Sequence, residues 1–265
     1  MKVSVIIPVY NEQETLKEII RRVDAVPLDK EIIVVDDCST DESRSILNQT
    51  SSIPHLRVLY HEKNMGKGAA LRTGFAVAKG EILIVQDADL ETDPRDYPKL
   101  IEPILKGEAE VVYGTRFHKH TDKKEISGAH YLANQFLTGL SNCLTRLNLS
   151  DMETCYKVFR RDIVAGIRIE ENRFGFEPEI TAKMARLGCR VAEVPISYTP
   201  RTAKEGKKIG WRDGLQAIWC ILKYSLRPSV AVTKANRETE IHPFFQQPAL
   251  TSPPRPDNQR TVLLS

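Results

Sequence analysis

Nothing in this chain pairs its cysteines. Cys38, Cys143, Cys155, Cys189 and Cys220 are odd in number and scattered, with no Cys-x-x-Cys spacing. That argues against a disulfide framework and a zinc site, and it fits a reducing cytoplasm. Long apolar runs are missing too: no stretch approaches the roughly 18 residues that span a bilayer. The net charge of +3 is too mild for a nucleic-acid binder, which would concentrate a basic face. The six histidines show no metal-ligand spacing joined by further ligands. No Gly-x-Ser-x-Gly elbow is present, so covalent catalysis has no candidate. The opening Met1-Lys2-Val3-Ser4-Val5-Ile6-Ile7-Pro8 is too short a run for a leader. Asn11, Glu12 and Glu14 follow where a small-residue cleavage site belongs, so a first core strand is the expectation.

At 265 residues and 41% hydrophobic, the chain can bury one substantial core. Short β-branched runs at residues 3–7, 31–35, 56–59, 82–85 and 110–114 read as strands covered on both faces. Helix patterns alternate with them at 12–23, 41–49 and 67–78, which predicts a doubly wound, mostly parallel α/β sheet. Further helices are expected at 131–147, 178–187 and 211–226, a strand or short helix within 158–169, and a strand at 190–196. Residues 1–228 are read as one domain. In the stretch 229–265, Pro243, Pro248, Pro253, Pro254 and Pro256 stand among polar residues, and no folded element is expected there.

Asp87-Ala88-Asp89 closes the fourth apolar run, and Glu91 follows two residues later. Alternation along a strand puts both aspartates on one side. Adjacent carboxylates repel unless a cation, a proton or a donor cluster compensates them. The carboxyl end of a strand is where open α/β sheets hold ligands, and hard oxygen donors suit Mg²⁺ or Mn²⁺. Pro8-Val9-Tyr10-Asn11-Glu12 ends the first strand and Asp36-Asp37-Cys38-Ser39-Thr40-Asp41 ends the second. Asn64-Met65-Gly66-Lys67-Gly68-Ala69-Ala70 opens a helix with a cation inside the turn, but without Walker spacing. Arg201, Lys204, Lys207, Lys208 and Arg212 make a basic segment punctuated by Gly206 and Gly210, suited to close over a charged leaving group. A solvated basic loop is the competing reading of that segment.

In order and spacing, these motifs together resemble the inverting family 2 glycosyltransferases. The later ones, Gly114-Thr115-Arg116, the run from Asp151-Met152-Glu153-Thr154-Cys155-Tyr156-Lys157 to Arg161, Phe176-Glu177-Pro178-Glu179 and Tyr198-x-x-Arg201, look most like dolichyl-phosphate mannose synthases and related polyprenyl-phosphate glycosyltransferases. The resemblance covers about residues 3–226 and implies a GT-A fold. It implies that Pro8, Tyr10, Glu12, Asp37 and Asp87 surround the base and ribose of a nucleotide-diphosphate sugar, with Lys67 nearby. It places Mg²⁺ or Mn²⁺ on Asp89 and Glu91, the acceptor phosphate on Arg116, and a diphosphate or acceptor phosphate on Arg201 and Lys208. Such synthases often carry glutamine where Glu91 stands, so an acid there would alter metal preference. A polyprenyl phosphate acceptor needs no strong general base. A hydroxyl acceptor would, and Asp151, Glu177 and Glu179 are its candidates. Relatives of this kind often continue into transmembrane helices, and here the proline-bearing stretch takes their place. The 211–226 helix, with Trp211, Leu215, Ile218, Trp219 and Leu222 in one stripe, reads either as a core helix or as one lying peripherally in a membrane interface. Three rivals stand beside this reading: a family 2 transferase with a soluble or protein acceptor, a sugar-1-phosphate nucleotidyltransferase, and a non-catalytic nucleotide-binding or receiver-like module.

Overall fold

The computed structural model describes residues 1–50, 53–117, 128–201 and 211–227. Seven strands, β1 (Val3–Val9), β2 (Lys30–Asp36), β3 (Leu56–Tyr60), β4 (Ile82–Val85), β5 (Val111–Thr115), β6 (Lys157–Arg160) and β7 (Val191–Pro195), form one sheet in the order β3-β2-β1-β4-β6-β5-β7. The first four run parallel, β6 is antiparallel to both its neighbours, and β5 pairs with β7 in parallel. Around it lie α1 (Leu16–Ala25), α2 (Ser43–Gln49), α3 (Lys67–Val77), α4 (Tyr97–Leu105), α5 (Gly128–Thr145), α6 (Arg161–Ala165), α7 (Phe176–Arg186) and α8 (Trp211–Ser225). Among the described residues no helix is long and apolar enough to cross a membrane.

Period-two alternation divides the sheet's side chains between two cores. Val5, Ile7, Ile32, Val34, Ile82 and Ile84 meet Leu16, Ile19, Ile20 and Val23 of α1 and Leu100, Ile101 and Ile104 of α4. On the other face Ile6, Ile33, Val35, Leu83 and Val85 meet Leu71 and Phe75 of α3 and Phe176, Ile180 and Met184 of α7. Both faces are covered, as the near-continuous apolar runs require. Helix α3 lies close on the sheet because Gly74 faces Ile6, where a Cβ would come within 2.4 Å of a side-chain carbon.

Two elements depart from the sequence expectation. Helix α4 forms although Pro98 and Pro103 lie inside it. Pro98 stands in the first turn, where no amide is needed. Pro103 lies inside the helix and leaves the carbonyl four residues back without its amide, and the helix ends two residues later at Leu105. The 158–169 stretch is divided into β6 and α6 at Arg160.

Candidate active site

The carboxyl ends of β1, β2 and β4 gather at one edge of the sheet, and the backbone there is strained. Asn11 (φ 52°), Cys38 (φ 63°) and Leu90 (φ 62°) each follow one of these strands in the left-handed region. Non-glycine residues pay for that conformation, leucine more than asparagine, and such strain concentrates at functional sites. Leu90 turns the chain so that the Glu91 amide donates back to Asp89 Oδ1 at 3.1 Å.

The two aspartates behind β4 are in unlike surroundings. Lys67 Nζ donates to Asp87 Oδ2 at 3.0 Å and lies 2.9 Å from Glu177 Oε1. Burial opposes both charges of the Lys67–Asp87 pair, but the attraction outweighs it. The lysine is held above its ordinary range and the Asp87 carboxyl below its own. Among the described residues no cation pairs with the Asp89 carboxylate: burial, then the neighbouring Asp87 and Glu91 charges, push it up to about 7, and Arg201 offsets this only in part. A buried carboxylate destabilised by two like charges fits a divalent cation, which takes one or two carboxylates and completes its shell from phosphate oxygens and water. Glu91 is already engaged: Oε1 accepts from the Arg201 amide at 2.9 Å and Oε2 from the Tyr198 hydroxyl at 3.2 Å. Among the described residues no three His, Cys, Asp or Glu side chains converge as a ready ligand set. Asp89 is therefore the primary candidate ligand, with Glu91 available on release of its partners.

Arg201 is central to the network. Its Nε donates to the Asp89 carbonyl at 2.9 Å, and one terminal nitrogen to Glu12 Oε2 at 2.7 Å and Thr15 Oγ1 at 3.2 Å. Glu12 is thereby tied to the β4 turn across the ligand edge. Lys208 lies outside the described residues, as do Lys204, Lys207, the His118–His120 stretch and 229–265.

Asp37 points inward rather than towards an open cleft. It accepts from the amides of Met65 (2.9 and 3.1 Å) and Gly66 (2.6 Å), and His61 Nδ1 lies 2.7 Å away. It pins the turn that presents Lys67, and Ala69 N donates to Asn172 O at 3.0 Å. Three amides of that glycine-bearing turn are thus occupied by protein acceptors. Gly66, at φ 99°, has no room for a Cβ, which would meet Asn172 O at 2.5 Å. Pro8 lies within β1 and pairs in register with Val35, and Tyr10 follows directly at the strand's end.

Arg116 ends β5, and a bidentate pair orients it: Nε and a terminal nitrogen donate to the two oxygens of Asp151, each at 2.7 Å. Asp151 is wholly buried and also accepts from Asn134 of α5 at 2.9 Å. Burial alone would raise the Asp151 carboxyl, and Arg116 outweighs it and holds the group below its usual range. The Arg116 guanidinium lies 5.3 Å from the Tyr198 ring centre, and the same tyrosine's hydroxyl reaches Glu91. One aromatic ring therefore separates the cation at β5 from the carboxylates at β4.

The arrangement joins Glu12, Arg201, Asp89, Glu91, Tyr198 and Arg116 in one connected network, with Asp37, Lys67 and Asp87 in a second beside it. Two contributors carried no assigned role in the sequence reading. Tyr198 and Glu153 both sat inside quoted motifs, but their place between the two halves of the site depends on β6 and the 196–201 segment folding back.

A family model described as "Glycosyl transferase family 2" matches residues 4–168. An undecaprenyl-phosphate mannosyltransferase of Micrococcus luteus is 33% identical over 223 residues, covering 79% of this chain and 88% of the relative. A dolichol-phosphate mannosyltransferase of Pyrococcus furiosus is 32% identical over 214 residues and 79% of this chain, which spans 60% of that relative's length. The chain spans 62% of an undecaprenyl-phosphate 4-deoxy-4-formamido-L-arabinose transferase of Edwardsiella ictaluri, also 32% identical. Among solved structures, glucosyl-3-phosphoglycerate synthase from Mycobacterium tuberculosis, in complex with Mn²⁺, uridine-diphosphate-glucose and phosphoglyceric acid, matches with a TM-score of 0.65. The match is 21% identical and covers 86% of this chain and 81% of that one.

Proposed function

Because the chain belongs to glycosyl transferase family 2 and is a glycosyltransferase of GT-A fold, we propose that it moves a hexose from a nucleotide-diphosphate sugar to a polyprenyl phosphate. One observation carries the reading: Asp89, its carboxyl pushed up by burial and like charges, accepts from the amide of Glu91, whose carboxylate accepts from the Tyr198 hydroxyl, and the oriented cation Arg116 lies over that same ring. The relatives named for polyprenyl-phosphate acceptors support the acceptor class, and the Mn²⁺ complex of the structural neighbour supports a divalent metal. The choice between Mg²⁺ and Mn²⁺ stays open to measurement.

In this reading the nucleotide lies along the ends of β1 and β2, beside Pro8, Tyr10 and Glu12. Asp37 holds the 61–67 turn in place, and Lys67 pairs with Asp87 and Glu177, so that Asp89 is the carboxylate that meets the cation of the diphosphate. A divalent cation on Asp89, with Glu91 in reach, would neutralise charge on the departing diphosphate. Arg201 is anchored at the same edge, and Lys208 further along that segment is assigned to the same anion. Arg116 receives the acceptor phosphate, and Asp151 and Asn134 fix its direction. A phosphate oxygen is already ionised at neutral pH, so attack on the anomeric carbon, opposite the leaving group, needs no deprotonation by the protein.

A membrane face would deliver such an acceptor. Helix α5 carries no Asp, Glu, Lys or Arg, and it exposes Leu132 (68%) and Phe136 (61%). Helix α8 packs against it and exposes Leu215 and Trp219, turning Ala217, Cys220, Ile221 and Tyr224 inward. The stripe read from the sequence of α8 therefore points outward at Leu215 and Trp219, which supports the interfacial reading of that helix. Phe117 at the Arg116 turn stacks edge-on against Tyr131 of α5 at 5.1 Å, so this face adjoins the acceptor cation.

The test is incubation with radiolabelled nucleotide sugars and a total lipid extract. An acid-labile, butanol-soluble product is expected. Label that passes only to water-soluble product, with no need for lipid, would replace the polyprenyl phosphate by a soluble acceptor.

A further inference from the structure

Three buried polar atoms beside the site have no hydrogen-bond partner among the described residues: Glu153 Oε1, Thr154 Oγ1 and Glu177 Oε2. Burying a carboxylate oxygen without a donor is costly, several kcal/mol in the usual case. The neighbouring cations do not relieve it. Lys67 is shared between Asp87 and the other oxygen of Glu177. Lys157 gives its ammonium to the carbonyls of Met152 and Thr154 and lies over the Tyr113 ring. Arg116 is taken by Asp151.

The position of these atoms is informative. Asp151 grips Arg116, and four residues later Cys155 Sγ accepts from the Asp87 amide at 3.1 Å. Glu153 and Thr154 lie on the short bridge between those anchors. Glu177, in the first turn of α7, reaches the same place through Lys67, with a side chain only 6% exposed. In an inverting displacement the sugar must sit between the acceptor oxygen and the leaving diphosphate. On the reading above, those ends are marked by Arg116 and Asp89.

We propose that Glu153 and Glu177 are the residues that hold the hydroxyl groups of the donor hexose, and so select neutral, hydroxyl-bearing sugars over uronic acids. Sugar hydroxyls donate to the two unpartnered carboxyl oxygens, and Thr154 Oγ1 supplies a further donor or acceptor. Hydrogen bonds to charged groups are stronger than neutral ones, and a site built to receive a hydroxyl discriminates sharply against an analogue lacking it. Glu153 is held near a pKa of about 7, first by burial and then by Glu177, so this pair carries less than two full negative charges at neutral pH. A uronate carboxylate would still meet negative charge there, and among the described residues the nearby cations Lys67, Lys157 and Arg116 are already engaged.

This inference rests on the donor reading above, and the experiment separates the two. Calorimetric binding in Mn²⁺ compares UDP and GDP with UDP-glucose, GDP-mannose and UDP-glucuronate. With wild-type protein, the preferred neutral sugar should add affinity over its bare nucleotide, and the uronate should add none. Glu153→Ala should cost about tenfold or more in affinity for the nucleotide sugar, leave the bare nucleotide within about twofold, and raise KM. Glu153→Gln should recover part of the loss. If Glu153→Ala fails to fold by circular dichroism, deoxy-sugar donors on the wild-type protein make the same comparison. Equal losses for nucleotide and nucleotide sugar, or no loss for either, would overturn the sugar assignment. So would a collapse of kcat with donor affinity unchanged, which would mark Glu153 as a general base for a hydroxyl acceptor. Wild-type protein that binds no nucleotide at all would remove the donor reading itself, and this inference with it.

Discussion

Lys67 Nζ lies 3.0 Å from Asp87 Oδ2, whereas among the described residues no cation is paired with the carboxylate of the neighbouring Asp89. The asymmetry decides the roles. Asp87 is paired within the protein, and Asp89, pushed up to about 7 by burial and by the Asp87 and Glu91 charges, is the carboxylate we propose as the cation ligand.

Replacing Asp89 should therefore abolish transfer while leaving the fold intact. Asp89→Asn is expected to lower kcat by at least a hundredfold, the usual scale for removing one electrostatic stabiliser. It should also remove Mn²⁺ binding followed by electron paramagnetic resonance in the presence of nucleotide. Unchanged turnover would eliminate the metal role of this side chain.

Lys67→Met should act on stability as well as on activity. It leaves the buried Glu177 and the part-buried Asp87 carboxylate without their shared cation, and breaking a fully buried pair costs about 3–5 kcal/mol, the upper limit of the expected loss. Urea denaturation of the variant should show that loss. The double variant Lys67→Met with Glu177→Gln should recover part of it, because one of the stranded charges is gone.

The Arg116–Asp151 pair sets an acid limit. Asp151 is held below its ordinary range in the folded protein, because Arg116 outweighs the effect of burial. The pair's contribution is therefore fully present above the unfolded carboxyl value of about 3.9 and is lost as pH falls below it. Melting temperature measured from pH 6 to pH 2.5 should fall less steeply in Asp151→Asn than in wild type, from a lower starting value. A parallel pair of curves would mean that Asp151 titrates normally.

The apolar face of α5 and α8 can be tested without touching the site. Phe136→Asp with Trp219→Asp should reduce co-sedimentation with anionic vesicles at low salt by about tenfold, since each removes a large buried-on-binding side chain. Turnover of a water-dispersed, short-chain polyprenyl phosphate should be spared. Equal sedimentation of variant and wild type would exclude this face as the point of attachment.

Much of this molecule could be read from residues alone. The β-branched runs ending in Pro8, Asp36 and Gln86 announce parallel strands, because side chains covered on both faces cannot alternate with polar ones. Carboxylates and turns placed directly behind those runs must then fall at one edge of the sheet. Chain order thus brings Tyr10, Asp37 and Asp87 to a common edge with no knowledge of contacts. Helix α4 is not among the expected elements; it carries Pro98 and Pro103, and only Pro98, in the first turn, sits where a missing amide costs little.

The partnerships were decided only in three dimensions. Whether Asp37 faces a ligand or the amides of Met65 and Gly66, and whether Lys67 meets a phosphate or Asp87, depends on which groups the folded chain brings within about 3 Å. Antiparallel β6, inserted between β4 and β5, carries the Asp151–Cys155 bridge across the site and leaves Glu153 Oε1 there without a donor among the described residues. Periodicity likewise shows that α8 has an apolar stripe, but only the packing shows that Leu215 and Trp219 on it stay exposed among the described residues. Local sequence sets the spacing of side chains along an element. The long-range approach of other elements sets which of them is satisfied, and an unsatisfied group is where a ligand can bind.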